Sequence, residues 1–282
     1  MQRLMAGALT LTMLLLGSWG CGPAATPEPE GPLEVTVLQG ADAITMDPHR
    51  QEATPEANVL SHIHETLVFR DSNMNIVPGL AHSWELIDDH TWEFYLEENV
   101  VFHNGAAFNA EAAKFSVERA VDIGGADIQQ LHLDEVVVVD EHTLRIKTDR
   151  PNPVLFTVLL SVWIVDPGHY DGLPEEDAAV DPIGTGPYVL EEWSRDERIV
   201  VHAFEDYWGG RREINTIIWK PVPEAATRVA EVEVGNADVA AHIPAESVER
   251  IEDADGVVVR TVEGGRRFYI GLRHDEPCKR PR

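Results

Sequence analysis

One apolar run decides where folding can begin. Residues 4–16, Leu-Met-Ala-Gly-Ala-Leu-Thr-Leu-Thr-Met-Leu-Leu-Leu, follow a single basic residue, Arg3. Thirteen residues are too short for a permanent membrane helix but suit the apolar core of a secretory signal over residues 1–20. Residues 23–32, Pro-Ala-Ala-Thr-Pro-Glu-Pro-Glu-Gly-Pro, carry no apolar periodicity and read as an extended tether. Any packed core therefore starts near residue 33. No second apolar stretch of this kind follows, so the rest of the chain is expected to be soluble.

Between the apolar run and the tether stands Gly20-Cys21-Gly22. A small residue directly before a cysteine, just past the apolar core, resembles the lipobox of bacterial lipoproteins. That resemblance implies lipidation at Cys21 and an exported chain anchored on the periplasmic or extracellular face of the cell membrane. Ser18 and Trp19 depart from the usual lipobox residues. Several acyl chains hold a membrane stably where a single one is marginal.

The remaining 250 or so residues can bury one large or two ordinary cores. Formal charge is −27, from 22 basic and 49 acidic side chains, which sets the chain against nucleic acid. The acidity is spread along the chain and reads as a hydrated surface. Two cysteines, Cys21 and Cys278, are too few for a zinc ribbon or a disulfide framework.

Period-two alternation predicts strands at 34–38 and 92–96; strands are also expected at 188–193, 199–203, 216–220 and 257–262, and a hairpin from 136–139 and 143–148. Helical spacing of Val59, Leu60, Ile63 and Leu67 behind Pro55 predicts a helix over 54–67. Asn109 is placed to cap a helix over 109–121 that buries Ala112, Phe115, Val117 and Ala120, and 225–234 reads as another helix. Ile76-Val-Pro-Gly79 is expected to break the chain. Gly79, Gly105 and Gly184 are candidates for positive φ, and Trp84, Trp92 and Trp193 for core packing. The fold class is α+β, with mixed α/β lobes, no internal repeat and no strict βαβ alternation.

Several segments then occur in a fixed order. Ala43-Ile-Thr-Met-Asp-Pro-His49 is followed by Asn58-Val-Leu-Ser-His-Ile-His-Glu-Thr-Leu-Val68. Next come Ile76-Val-Pro-Gly-Leu-Ala-His-Ser-Trp-Glu85, Thr91-Trp-Glu-Phe-Tyr-Leu96 and Val101-Phe-His-Asn-Gly105. The helix from Phe108, the loop Gly184-Thr-Gly-Pro-Tyr188, Tyr207-Trp-Gly-Gly210 and Gly235-Asn-Ala-Asp238 complete the series. Together they resemble the family 5 extracellular solute-binding proteins, which deliver peptides, nickel chelates, opines or some sugars to ABC importers.

The resemblance implies a type II periplasmic-binding-protein architecture, in which two lobes close on a solute and the importer's membrane subunits read the closed form. It places residues 33–66 and 183–265 in part of the first lobe and 67–182 in an inserted small domain. Residues 266–282 depart from the family pattern after Leu272, which is expected to mark a truncated carboxyl end, a missing second lobe and weakened solute binding. Solute contacts implied by the resemblance are His49, Gln51 and Asn58, with backbone N–H groups of Gly184, Thr185 and Gly186 as the next set. Residues 121–132 are shorter than in relatives, in a region that often faces the ligand.

Two other readings start from the residues. Twelve histidines include His62-x-His64, the basis for a metal- or nickel-chelate-binding lipoprotein. On a helix, however, positions two apart point away from each other, so no metal site is assigned. No G-x-S-x-G or H-E-x-x-H occurs, so no catalytic residue and no cofactor is assigned and the chain is not expected to be an enzyme. A structural lipoprotein without a ligand is the remaining alternative.

Overall fold

A computed structural model of the chain describes residues 33–252 and 256–261. The elements, in order, are β1 (Leu33–Gln39), α1 (Thr54–Ile63), β2 (Val68–Arg70), β3 (Ile76–Pro78), β4 (Ala81–Asp88) and β5 (Thr91–Leu96). Then follow α2 (Ala110–Ile123), α3 (Ala126–Gln129), β6 (Leu133–Asp140), β7 (Thr143–Thr148), α4 (Leu155–Leu159), α5 (Pro167–Tyr170) and α6 (Glu175–Ala178). The series continues with β8 (Tyr188–Ser194), β9 (Arg198–Ala203), β10 (Ile214–Pro221), α7 (Ala225–Glu233), β11 (Val239–Ala240) and α8 (Ala245–Glu252). The secretory signal, Cys21, the tether and the 266–282 tail all lie outside the described residues.

Two larger sheets organise this part of the chain. In the first, ordered β11-β1-β10-β9-β8, β1 lies parallel to both β10 and β11, while β8 and β9 run antiparallel. β1 therefore joins strands almost two hundred residues away. Its central position explains why both faces of its second half are buried, from Thr36 to Gln39. Val37, Ile199, Val201, Ile217 and Trp219 face Val59, Leu60 and Ile63 of α1 in one core. Pro55 opens that helix, where a missing N–H costs nothing.

The second sheet, ordered β4-β5-β7-β6, is antiparallel and carries α2 across one face. Asn109 caps α2, its Oδ1 accepting the Ala112 N–H at 3.1 Å. Ala112, Ala113, Val117 and Ala120 pack with Phe94, Val136, Leu144 and Ile146 in a separate core. The small alanines let the helix lie close to the strands. Phe156 seals the margin, with ring centroids 4.8 Å from Trp92 and 5.3 Å from Trp84.

Four local expectations need correction. α1 ends at Ile63 rather than Leu67, because His64 is extended (φ −114°, ψ 155°) and its ring bonds the Ile164 carbonyl. Leu67 is buried in the other core, so its helical spacing was a coincidence of two adjacent elements. Ile76–Pro78 is a short strand paired with β2, and its proline sits opposite Val68 in a two-stranded ribbon. Residues 257–261 form no strand, and Val262 lies outside the described residues. Finally, of the three glycines proposed for positive φ only Gly105 has it, at +84°.

Candidate solute-binding site

The turn after β1 is held by a buried charge pair. Asp47 has no exposed side-chain surface, and Arg119 of α2 binds it bidentately, Nη1 to Oδ1 at 2.9 Å and Nη2 to Oδ2 at 2.8 Å. The carboxylate also accepts the His49 N–H at 3.1 Å. Burial alone would raise its pKa, but Arg119 and the His49 N–H outweigh burial and hold it below the ordinary aspartate value. The guanidinium stacks 4.8 Å from the Tyr170 ring centre, which covers its other face. Arg50 then reaches from the same turn to Glu175 of α6 at 3.3 Å.

This turn forms one wall of a cavity of about 530 Å³. The lining takes in Pro48 to Glu52, then Ala120 and Ile123 at the end of α2, the 125–128 turn, Ser161 and Glu175. Its volume falls within the usual range for small-molecule pockets. Charges of both signs face it, with Arg50 set among Glu52, Asp127 and Glu175.

The expected solute contacts divide on this geometry. His49 and Gln51 line the cavity. Asn58 does not; its Nδ2 donates to Gln39 Oε1 at 3.3 Å on the sheet side of α1. The Gly184-Thr-Gly186 loop is not presented outward either. Gly184 N–H donates to His103 Nδ1 at 3.4 Å, Gly186 N–H donates to Ile63 O at 2.9 Å, and Thr185 is fully buried. The glycines are required for close approach. A Cβ on Gly184 would stand 2.1 Å from Ile63 O, and one on Gly186 would stand 2.6 Å from His62 O. The loop thus closes the carboxyl end of α1, meeting carbonyls that helix ends leave without partners.

The other ordered motifs converge on the same junction. Glu65 is buried and accepts from Tyr207 Oη and Trp208 Nε1, each at 2.8 Å, so the Tyr-Trp-Gly-Gly turn serves to hold this carboxylate. Burial pushes the Glu65 pKa up, against the pull of those donors. Gly209 is needed because a Cβ there would meet the Tyr207 ring at 2.5 Å. His103, from the Phe-His-Asn-Gly turn, donates Nε2–H to Gly186 O at 2.9 Å. Asn104 of that turn donates to Asp166 Oδ2 at 2.7 Å.

Two histidines at this junction make the chain acid-sensitive. Burial holds His64 down to about 3 and His103 down to about 4, from an ordinary 6.5. In the unfolded chain both protonate as pH drops below about 6.5. The folded state resists, so the stability their neutral forms support is whole above that value and lost as pH falls through the folded values. Glu65 works the other way, since its raised pKa lets the folded state take a proton first. His49, His62 and Asp47, also held below their ordinary values, act in the same direction as these two histidines, so urea midpoints should fall steadily from pH 7 to pH 4. His103→Gln should flatten the profile, and an unchanged slope would exclude His103 as a cause.

Sequence reasoning missed Arg50, Arg119, Ser161 and Glu175 as parts of this site. Arg119 and Asp47 are 72 residues apart, and nothing in spacing or composition joins them. From the 121–132 segment, which the resemblance puts in a region that often faces the ligand, Ile123 and Gly125 to Ile128 line the same cavity as His49 and Gln51.

The mixed α/β scaffold, with its parallel β1–β10 pairing across the chain, is that of part of the type II periplasmic-binding-protein fold, which solved relatives share. Comparison with known proteins gives the family: the chain belongs to the bacterial extracellular solute-binding proteins, family 5, whose sequence profile matches residues 75–282. The family is one of binding proteins, not enzymes. The glutathione-binding protein GsiB of Escherichia coli K12 is 28% identical over 247 residues, covering 85% of this chain and 48% of that one. A nickel ABC transporter structure from Bacillus halodurans aligns with TM-score 0.70 and 31% identity over 79% of this chain and 46% of that one. MoaA from Agrobacterium (A.tumefacien R10), in complex with mannopinic acid, shares the fold with TM-score 0.76 at 23% identity, over 83% of this chain and 50% of that one. The chain spans about half the length of the curated relatives it matches.

Proposed function

We propose that the protein captures a small solute, peptide-like or a metal chelate, outside the cytoplasmic membrane and hands it to the membrane subunits of an ABC importer. The observation that carries this is the cavity between the 48–52 turn and the 125–128 turn, in a chain of a solute-binding family. His49 and Gln51 are the residues we assign to it, joined by Arg50, Glu52 and Asp127. We further propose that residues 33–66 and 183–265 form one lobe, that 67–182 form a domain inserted in it, and that Cys21 carries a lipid anchor. Among the described residues no helix is long and apolar enough to cross a membrane.

Relatives with different solutes support different versions. The E. coli relative is named for glutathione, a tripeptide, and the B. halodurans structure for nickel. Among the described residues no group of three or more His, Cys, Asp or Glu side chains is placed to hold a metal ion. A nickel version would therefore need the metal to arrive inside a chelator.

The cavity lies open to solvent between the 48–52 and 125–128 segments, whereas pockets ordinarily enclose most of a ligand's surface. Calorimetry of the purified chain against glutathione, short peptides and nickel–histidine should therefore show binding in the millimolar range for one class. Silence with every class would remove the capture reading, and micromolar affinity would remove the reading of a partly uncovered solute.

A further inference from the structure

The cavity's wall contains an imidazole whose two nitrogens are both committed. His49 is 6% exposed. Its Nε2 lies 2.7 Å from the Trp163 carbonyl, which can only accept, so Nε2 carries the proton. Its Nδ1 lies 2.8 Å from Arg119 Nη1, which can only donate, so Nδ1 carries none. The surroundings therefore admit one form of the ring, neutral with the proton on Nε2. Arg119 cannot turn away, because the same guanidinium is held bidentately on Asp47.

A second proton on His49 would go to Nδ1 and face the guanidinium, donor against donor and cation against cation. The charged and titratable groups around the ring offer little relief. From its own turn, Asp47 is already shared between Arg119, the His49 N–H and, at 3.6 Å, Arg50, a second cation that also reaches Glu175 of α6. Tyr170 of α5 stacks on Arg119, and its hydroxyl stays protonated, since burial pushes its pKa up. His64, from the segment after α1, adds positive charge if it protonates as well. Glu52, from the same turn, and Asp127, from the 125–128 segment, also line the cavity.

We propose that His49 is a proton-operated latch, closed at neutral pH, whose protonation frees the 47–52 turn from α2 and from the Trp163 carbonyl and dismantles the cavity wall. Burial first, and then the Arg119 charge, keep the ring neutral down to about pH 4, so the latch releases as the medium approaches that value. The release of solute that would follow rests on the capture function proposed above. The latch itself does not.

The test is hydrogen exchange of the intact chain from pH 7 to pH 4, with ¹⁵N-histidine NMR of the His49 ring. Once corrected for intrinsic rates, the amides of Arg50, Ile164 and Val165 should lose protection at least about tenfold as the ring titrates. The β1–β10 pairs should keep theirs. His49→Gln, which retains a donor toward Trp163 but cannot charge, should remove the transition. The latch is overturned if His49→Gln titrates like the native chain, if His64→Gln alone abolishes the transition, or if β1–β10 protection is lost at the same pH. Should His49→Gln fail to fold, the native ring decides: titration near 6.5 with no change in protection overturns the proposal. Absence of solute binding at every pH would count against capture, and pH-insensitive exchange beside intact binding would count against the latch alone.

Discussion

Asp47→Ala should lower the unfolding free energy by about 3–5 kcal/mol, the range for removing one partner of a buried ion pair. The reason is the uncompensated charge left behind more than the lost attraction. Arg119 is 13% exposed, faces an imidazole and an aromatic ring, and has Asp47 as its carboxylate. Urea unfolding at pH 7 measures the loss. Replacing both partners, as Asp47→Leu with Arg119→Met, should recover a large part of it, because apolar groups of similar size carry no desolvation cost. The resulting double-mutant cycle reads the coupling directly. A single substitution costing under about 1 kcal/mol would place the pair among surface ion pairs and remove the reason for the turn's rigidity.

Gly184→Ala is the second large effect. The added Cβ would lie 2.1 Å from Ile63 O and 2.7 Å from His64 Nδ1, so the loop must leave the end of α1. Both the loop and that carbonyl are backbone, with no flexible side chain to yield. The cost should exceed about 3 kcal/mol, beyond ordinary overpacking. Gly105→Ala supplies the contrast. Gly105 has φ +84° but open space around its Cβ position, so its cost is conformational, roughly 1–2 kcal/mol. Thermal or urea denaturation of the two variants should rank Gly184→Ala well below Gly105→Ala in stability. The reverse ranking would contradict close approach as the reason for this glycine.

Those two glycines show where sequence reading stops. β5, β7, β8, β9, α2 and α7 fall where the sequence places them, and α2 is the clearest because it buries one alanine-rich face against a single sheet. That reading failed over residues 64–67, where one buried run serves two cores: His64 lies at the end of α1, and Leu67 packs with the second sheet. It failed again at Gly184, whose role depends on a carbonyl 121 positions earlier. The ordered motifs were legible as a family pattern. Their physical task was not, since Glu65, His103, Tyr207 and the Gly184–Gly186 loop meet only in three dimensions. α8 passed unnoticed because its face is polar for most of its length, with only Ile251 buried among its described side chains.

The candidate site was half legible for the same reason. His49 and Gln51 follow a recognisable turn and do line the cavity. Asn58 and the 184–186 loop have other work, bonding Gln39 and the end of α1. Arg119 carries no local signature at all. It sits on an amphipathic helix as any solvated arginine would, and only the fold brings Asp47 to it.

On the proposed function, solute meets the chain at the 48–52 and 123–128 segments. Backbone NMR of the purified chain, titrated with whichever solute calorimetry identifies, tests it most directly. Shift changes should concentrate at Gln51, Glu52 and residues 125–128, with Asn58 and Gly184 to Gly186 unmoved. Changes centred on Asn58 and the 184–186 loop, with the cavity silent, would contradict it.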